Sequence, residues 1–110
     1  MKPLLCVSAL LASTTFLWAD PSALLIANED YSNLGSVRYG DSILGAERDL
    51  RRAGMVVEAF DDLSTVPLLT ELNTWVQAAP KDELLVIALS GRFVNDGTQS
   101  WFLGTDARDP

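Results

Sequence analysis

Three short apolar runs alternate with two stretches of helical spacing along this chain, and a turn-punctuated apolar pair follows them. Ser22 to Ala27 reads Ser-Ala-Leu-Leu-Ile-Ala. An unbroken apolar run of this length suits a central parallel strand, because both of its faces are covered. Asn28 to Gly40 is polar and turn-rich, with Tyr31 and Tyr39 as candidate anchors. From Asp41, a candidate cap, to about Ala53, the positions Ile43, Ala46 or Glu47, and Leu50 recur every three to four residues. That spacing predicts an amphipathic helix, with Arg48, Asp49, Arg51 and Arg52 on its other face and Gly54 ending it. Met55 to Phe60 predicts a second strand. Asp61, Asp62 and Ser64 offer helix-start chemistry, Pro67 fits a first turn, and Leu68, Leu69, Leu72, Trp75 and Val76 continue at helical spacing until Pro80. Trp75 is expected to pack this helix on the sheet. Leu84 to Leu89 predicts a third strand. Phe93-Val94, Asn95-Asp96-Gly97 and Trp101-Phe102-Leu103 then predict a hairpin, with Asp-Gly as the tight-turn signal. Strand, helix, strand, helix, strand, hairpin is the order of an α/β domain with a mainly parallel sheet and right-handed crossovers.

The amino-terminal segment stands apart from this pattern. Lys2 is followed by a mostly apolar run from Leu4 to Trp18, and Ala19 precedes Asp20-Pro21. That layout predicts a secretory signal over residues 1–19 and a domain over 20–110. The protein is then expected to be exported, periplasmic or secreted. The run is shorter than the roughly 20 apolar residues of a spanning helix, so an uncleaved anchor or a buried helix are the competing readings. Loss of Lys2 with the signal moves the formal charge from −7 to −8. An acidic chain is expected to avoid nucleic acid and, after signal removal, anionic membrane.

The residue inventory limits the chemistry. The chain has no histidine, and its one cysteine is Cys6, inside the expected signal. Zinc and other nitrogen- or sulfur-preferring metals are therefore not expected, nor is a disulfide in the mature chain. No cofactor is expected, because Gly35, Gly40, Gly45 and Gly54 do not form a phosphate loop. Ser90 beside Arg92 lacks the base that a serine nucleophile requires. Asp41, Asp61, Asp62, Asp96 and Asp106 are the carboxylates open to acid–base work. The adjacent pair Asp61-Asp62 is more simply a helix cap, and Asp106 alone is a weak calcium ligand.

Several segments together carry a resemblance. Ala23-Leu24-Leu25-Ile26-Ala27-Asn28 with Tyr31, Leu50-Arg51-Arg52-Ala53-Gly54-Met55, Leu68 to Trp75, Leu85 to Gly91, and Phe102-Leu103-Gly104-Thr105-Asp106-Ala107 occur in this order. They resemble the first half of the caspase and metacaspase family of cysteine peptidases over residues 22–110. The resemblance implies a three-layer caspase-like α/β domain, amino-terminal half only. A small flavodoxin-like domain is the alternative for such alternation. The resemblance also implies cysteine-type endopeptidase activity, with a catalytic His at the end of the third strand. Arg92 occupies that position, and Phe93 stands where the family usually has Gly. A guanidinium stays protonated and cannot take a proton from a thiol.

The sequence therefore predicts a catalytically inactive caspase-like protein that acts by binding a protein or peptide. The alternative is one subunit of a split cysteine endopeptidase whose Cys comes from another chain; a remnant that barely folds is a third reading. No catalytic residue is assigned. Arg92, Phe93 and Trp101 form either an apolar-plus-Arg interaction surface or a cover over the hydrophobic end of the sheet. An open hydrophobic sheet edge predicts pairing with another chain, including self-association.

Overall fold

A computed structural model of the chain describes residues 20–38, 40–81 and 83–109. The expected signal over residues 1–19, with Cys6, and Tyr39 lie outside the described residues, and the side chain of Asp41 is also outside them. Seven elements follow one another: β1 Ser22–Ala27, α1 Gly40–Arg52, β2 Val56–Asp61, α2 Thr65–Ala78, β3 Leu85–Ser90, β4 Phe93–Asn95 and β5 Ser100–Phe102. The first three strands form a parallel sheet in the order β2-β1-β3, and β4 pairs with β5 in a separate antiparallel hairpin. The described residues thus form a small α/β domain with a mainly parallel three-stranded sheet and two helices.

The central place of β1 follows from its composition. All six of its residues are buried, and Leu24, Leu25 and Ile26 are fully so. Alternate side chains serve opposite layers, as strand geometry dictates. Ala23, Leu25 and Ala27 pack with Ile43, Ala46 and Leu50 of α1 and with Val57, Met55, Val86 and Ala88. Leu24 and Ile26 pack with Leu68, Leu72 and Trp75 of α2 and with Phe60, Leu63, Leu89 and Phe102. The chain moves one way across the sheet from β1 to β2 and back across β1 to β3. Its two helices lie on opposite faces, so both crossovers share one hand, as the right-handed rule for parallel connections requires.

Element ends show where local signals suffice. Helix α1 stops at Gly54, whose φ is +91°. Gly54 N–H donates to Arg51 O at 3.1 Å and Met55 N–H to Leu50 O at 3.0 Å, a Schellman-type termination that glycine favours. Helix α2 departs from the local reading. Ser64 is its N-cap residue but makes no side-chain capping bond. The acceptor for Thr65 N–H is instead Asp106 Oδ1 at 2.8 Å. The hairpin departs as well: Asn95 still belongs to β4, and its loop runs through Gln99. The Asp96 carboxylate accepts the N–H groups of Thr98 and Gln99 at 2.8 and 2.7 Å, which stabilises this longer turn. Those backbone donors, Gln99 first, hold the Asp96 carboxyl below its ordinary pKa.

Candidate functional site

In open α/β sheets, ligands gather at the carboxyl ends of the strands. Here that rim is built from the segments after β1, β2, β3 and β5, and buried Asn28 ties three of them together. Its Nδ2 donates to Leu63 O at 3.0 Å and Leu103 O at 3.1 Å, and its Oδ1 accepts Leu63 N–H at 2.8 Å. Its backbone N–H donates to Ser90 O at 2.7 Å. The carboxamide thus uses both donors and its oxygen while fully buried.

Tyr31 and Asp62 complete the frame. The Tyr31 hydroxyl donates to Leu103 O at 3.1 Å and accepts Arg92 N–H at 2.9 Å. Asp62 lies in the left-handed region at φ +52°, which a short polar side chain tolerates. Its Oδ1 accepts the N–H groups of Glu29 and Asp30 at 2.8 and 3.1 Å. Asp62 is therefore a staple between two loops rather than a cap for α2. Asp106 takes the capping role: its Oδ1 accepts both the Thr65 hydroxyl, at 2.7 Å, and the Thr65 N–H. These bonds, the hydroxyl first, hold the Asp106 carboxyl below its ordinary pKa.

Arg92 sits just beyond β3, after Gly91. Its Nε donates to Gly35 O at 2.7 Å, and its guanidinium carbon lies 5.8 Å from the centre of the Tyr31 ring, within cation–π range. Among the described residues it makes no ion pair. Phe93 is half exposed and stacks at a tilt on Phe102, with ring centres 5.0 Å apart. Trp101 is also half exposed, but its cross-strand partner is Val94. Phe93 and Phe102 share one face of the hairpin, and Val94 and Trp101 share the other. The expected grouping of Arg92, Phe93 and Trp101 is therefore divided: Phe93 and Trp101 point to opposite sides. Phe102 joins the core beneath α2, so the hairpin does help to cover the end of the sheet.

The rim offers fixed hydrogen-bonding groups and one oriented cation. Among the described residues no three of His, Cys, Asp and Glu cluster closely enough to hold a metal ion, and no helix is long and apolar enough to cross a membrane. The hydroxyl–carboxylate pair that the rim does hold, Thr65 with Asp106, serves as the cap of α2. Asn28 and Gly104 stand out in the sequence only as members of longer segments, not as site residues. Asn28 directly after an apolar strand was a usable signal, because a polar side chain there is placed to bridge loops. Gly104 gave no local signal, since only α2 dictates its size. No known protein-family model matches this sequence, and no curated protein matches it.

Proposed function

We propose that this chain is an exported, caspase-like binding module without peptidase activity of its own. The element order and the parallel β2-β1-β3 sheet support the caspase-like reading, together with the segments that resemble that family. The observation that carries the loss of activity is Arg92. At the end of β3, where the resemblance calls for a histidine, stands a guanidinium bound to Gly35 O and lying against Tyr31. It has no lone pair with which to accept a thiol proton, and the sequence contains no imidazole to replace it. Binding is supported by β3, an edge strand of the described sheet whose Leu85 and Ile87 are 38% and 46% exposed.

A split cysteine endopeptidase is the second reading. The same open edge favours it, because a further strand bearing a Cys would pair there. Arg92 weighs against it, because the base is expected from this chain. The test is peptide-library hydrolysis by the purified chain and by Arg92→His, each alone and with a Cys-bearing polypeptide, beside a circular-dichroism melt. A cooperative melt with no cleavage in any mixture is the expected result. Cleavage only with His restored supports the split peptidase. Cleavage by the unmodified chain overturns the proposal, and so does the absence of any cooperative melt.

A further inference from the structure

Segment 32–37 crosses the carboxyl rim on few bonds. Its ends are tied by backbone: Ser32 N–H donates to Thr105 O at 2.9 Å and Val37 N–H to Glu29 O at 3.0 Å. Between those ties, among the described residues, two side-chain bonds hold it. Asn33 Nδ2 donates to Asp106 O at 3.3 Å, and Gly35 O accepts Arg92 Nε–H at 2.7 Å. Ser32, Asn33, Gly35 and Ser36 are exposed, and Leu34 and Val37 are partly buried. A stretch with few buried contacts and exposed bonds opens locally at a lower free energy than the core around it. The shorter of the two side-chain bonds has a charged donor, which makes it the stronger. Beneath the segment the contacts are layered. A Cβ on Gly35 would lie 3.1 Å from Arg92 Nη2, so the backbone of the segment rests against the guanidinium. The guanidinium in turn lies over the ring of Tyr31, which is 5% exposed.

We propose that segment 32–37 is a strap that Arg92 latches shut through its Nε–H, and that opening of the strap uncovers the Arg92 guanidinium and the Tyr31 ring. Arg92 is then a positioning residue: the side chain that stands where the resemblance expects a base fixes a loop across the rim. Opening requires no change in the sheet. Arg92 N–H keeps its bond to the Tyr31 hydroxyl, and Asn28 N–H keeps its bond to Ser90 O. An aromatic ring beside an arginine is the composition of interaction hot spots, so the open rim presents a surface that the closed rim hides. The inference deepens the binding-module reading and rests on it for what the open state does.

Residue-resolved amide hydrogen exchange tests this. Val37 N–H reports the strap, and the fully buried Asn28, through its N–H bond to Ser90 O, reports the core. In the unmodified chain Val37 is expected to exchange faster than Asn28. Two variants of like size then separate the donor from the bulk of the side chain. Arg92→Gln places an N–H group as many bonds from Cα as arginine Nε, whereas Arg92→Met places a methyl group there. Arg92→Met is expected to speed Val37 exchange by on the order of tenfold, the worth of one charge-assisted bond, with Asn28 unchanged. Arg92→Gln is expected to stay nearer the unmodified chain. Nitration of Tyr31 by tetranitromethane, located by peptide mass, is expected to run faster in Arg92→Met than in Arg92→Gln. Unchanged Val37 exchange in Arg92→Met overturns the latch, as does an equal rise in Arg92→Gln. Equal nitration in the two variants overturns the shielding of Tyr31. Equal exchange at Val37 and Asn28 in the unmodified chain overturns the strap as a separately opening unit, and that comparison stands even where a variant does not fold. Exchange rates test the strap and peptide hydrolysis tests the binding-module reading, so either can fail alone.

Discussion

The phenol oxygen of Tyr31 accepts the backbone N–H of Arg92 at 2.9 Å, while its ring lies 5.8 Å from the Arg92 guanidinium carbon. The same hydroxyl donates to Leu103 O, so one buried side chain fixes both the exit of β3 and the return of the hairpin. Tyr31→Phe keeps the ring and removes both bonds. It leaves Arg92 N–H and Leu103 O without that partner, at an expected cost of about 1–3 kcal/mol. Urea unfolding of the variant checks this. An unchanged midpoint would mean that water replaces the hydroxyl at no cost.

Gly91 and Gly104 are held small by neighbours distant in sequence. A Cβ at Gly91, whose φ is +157°, would lie 2.7 Å from the Tyr31 hydroxyl and 3.0 Å from Asn28 O. A Cβ at Gly104 would lie 2.5 Å from Thr65 N and 2.8 Å from Thr65 Cα, where only backbone movement gives relief. Gly104→Ala and Gly91→Ala are therefore each expected to cost on the order of 1–3 kcal/mol as overpacking does, with backbone strain added at Gly91. Thermal melts of the two variants check this. Gly97→Ala is not a packing control, because its φ of +92° strains any side chain even though nothing lies near.

The elements that announced themselves in sequence are those whose stabilisation is local or periodic. The run Ser22–Ala27 specifies a strand covered on both faces, and the spacing of Ile43, Ala46 and Leu50 specifies the buried stripe of α1. Trp75 packs α2 onto the sheet as its spacing implied. What local pattern did not carry is the long-range bonding at the rim. Ser64 occupies the cap position, but the acceptor is Asp106, 41 residues beyond Thr65. The division of Phe93 from Trp101 was within reach. Pairing of Phe93 with Phe102 puts adjacent positions on alternate faces, but the hairpin register was needed to see it.

Asn28 joins three loops by side-chain bonds that no substitute of similar size reproduces. Asn28→Ala leaves Leu63 N–H, Leu63 O and Leu103 O without this partner, although Leu63 O still accepts Thr105 N–H and Leu103 O still accepts the Tyr31 hydroxyl. Loss of buried partners at full burial is expected to cost on the order of 3 kcal/mol. Asn28→Asp keeps an acceptor for Leu63 N–H but loses both donors and brings a charge into the core, so it is expected to be no milder. Denaturant midpoints for the two variants test this. Near-wild-type stability of either one would show that the rim is held mainly by Tyr31 and Asp62.

Acid sensitivity of α2 follows from Asp106. Hydrogen bonds from the Thr65 hydroxyl and backbone stabilise its carboxylate and lower its pKa in the folded chain. A carboxyl with a depressed folded pKa contributes stability that is fully present above its unfolded value, about 4 for aspartate, and is lost as pH falls through the lower folded value. Wild type is therefore expected to lose this contribution in acid. Asp106→Ala lacks it already at neutral pH. The urea midpoints of the two should differ at pH 7 and converge as the pH drops below the unfolded aspartate range. Thr65→Val removes the hydroxyl donor but keeps the backbone bond, so it is expected to fall between them at neutral pH. A constant gap between wild type and Asp106→Ala across that range would mean that the cap acts through packing of the 103–107 segment and not through the charge of Asp106.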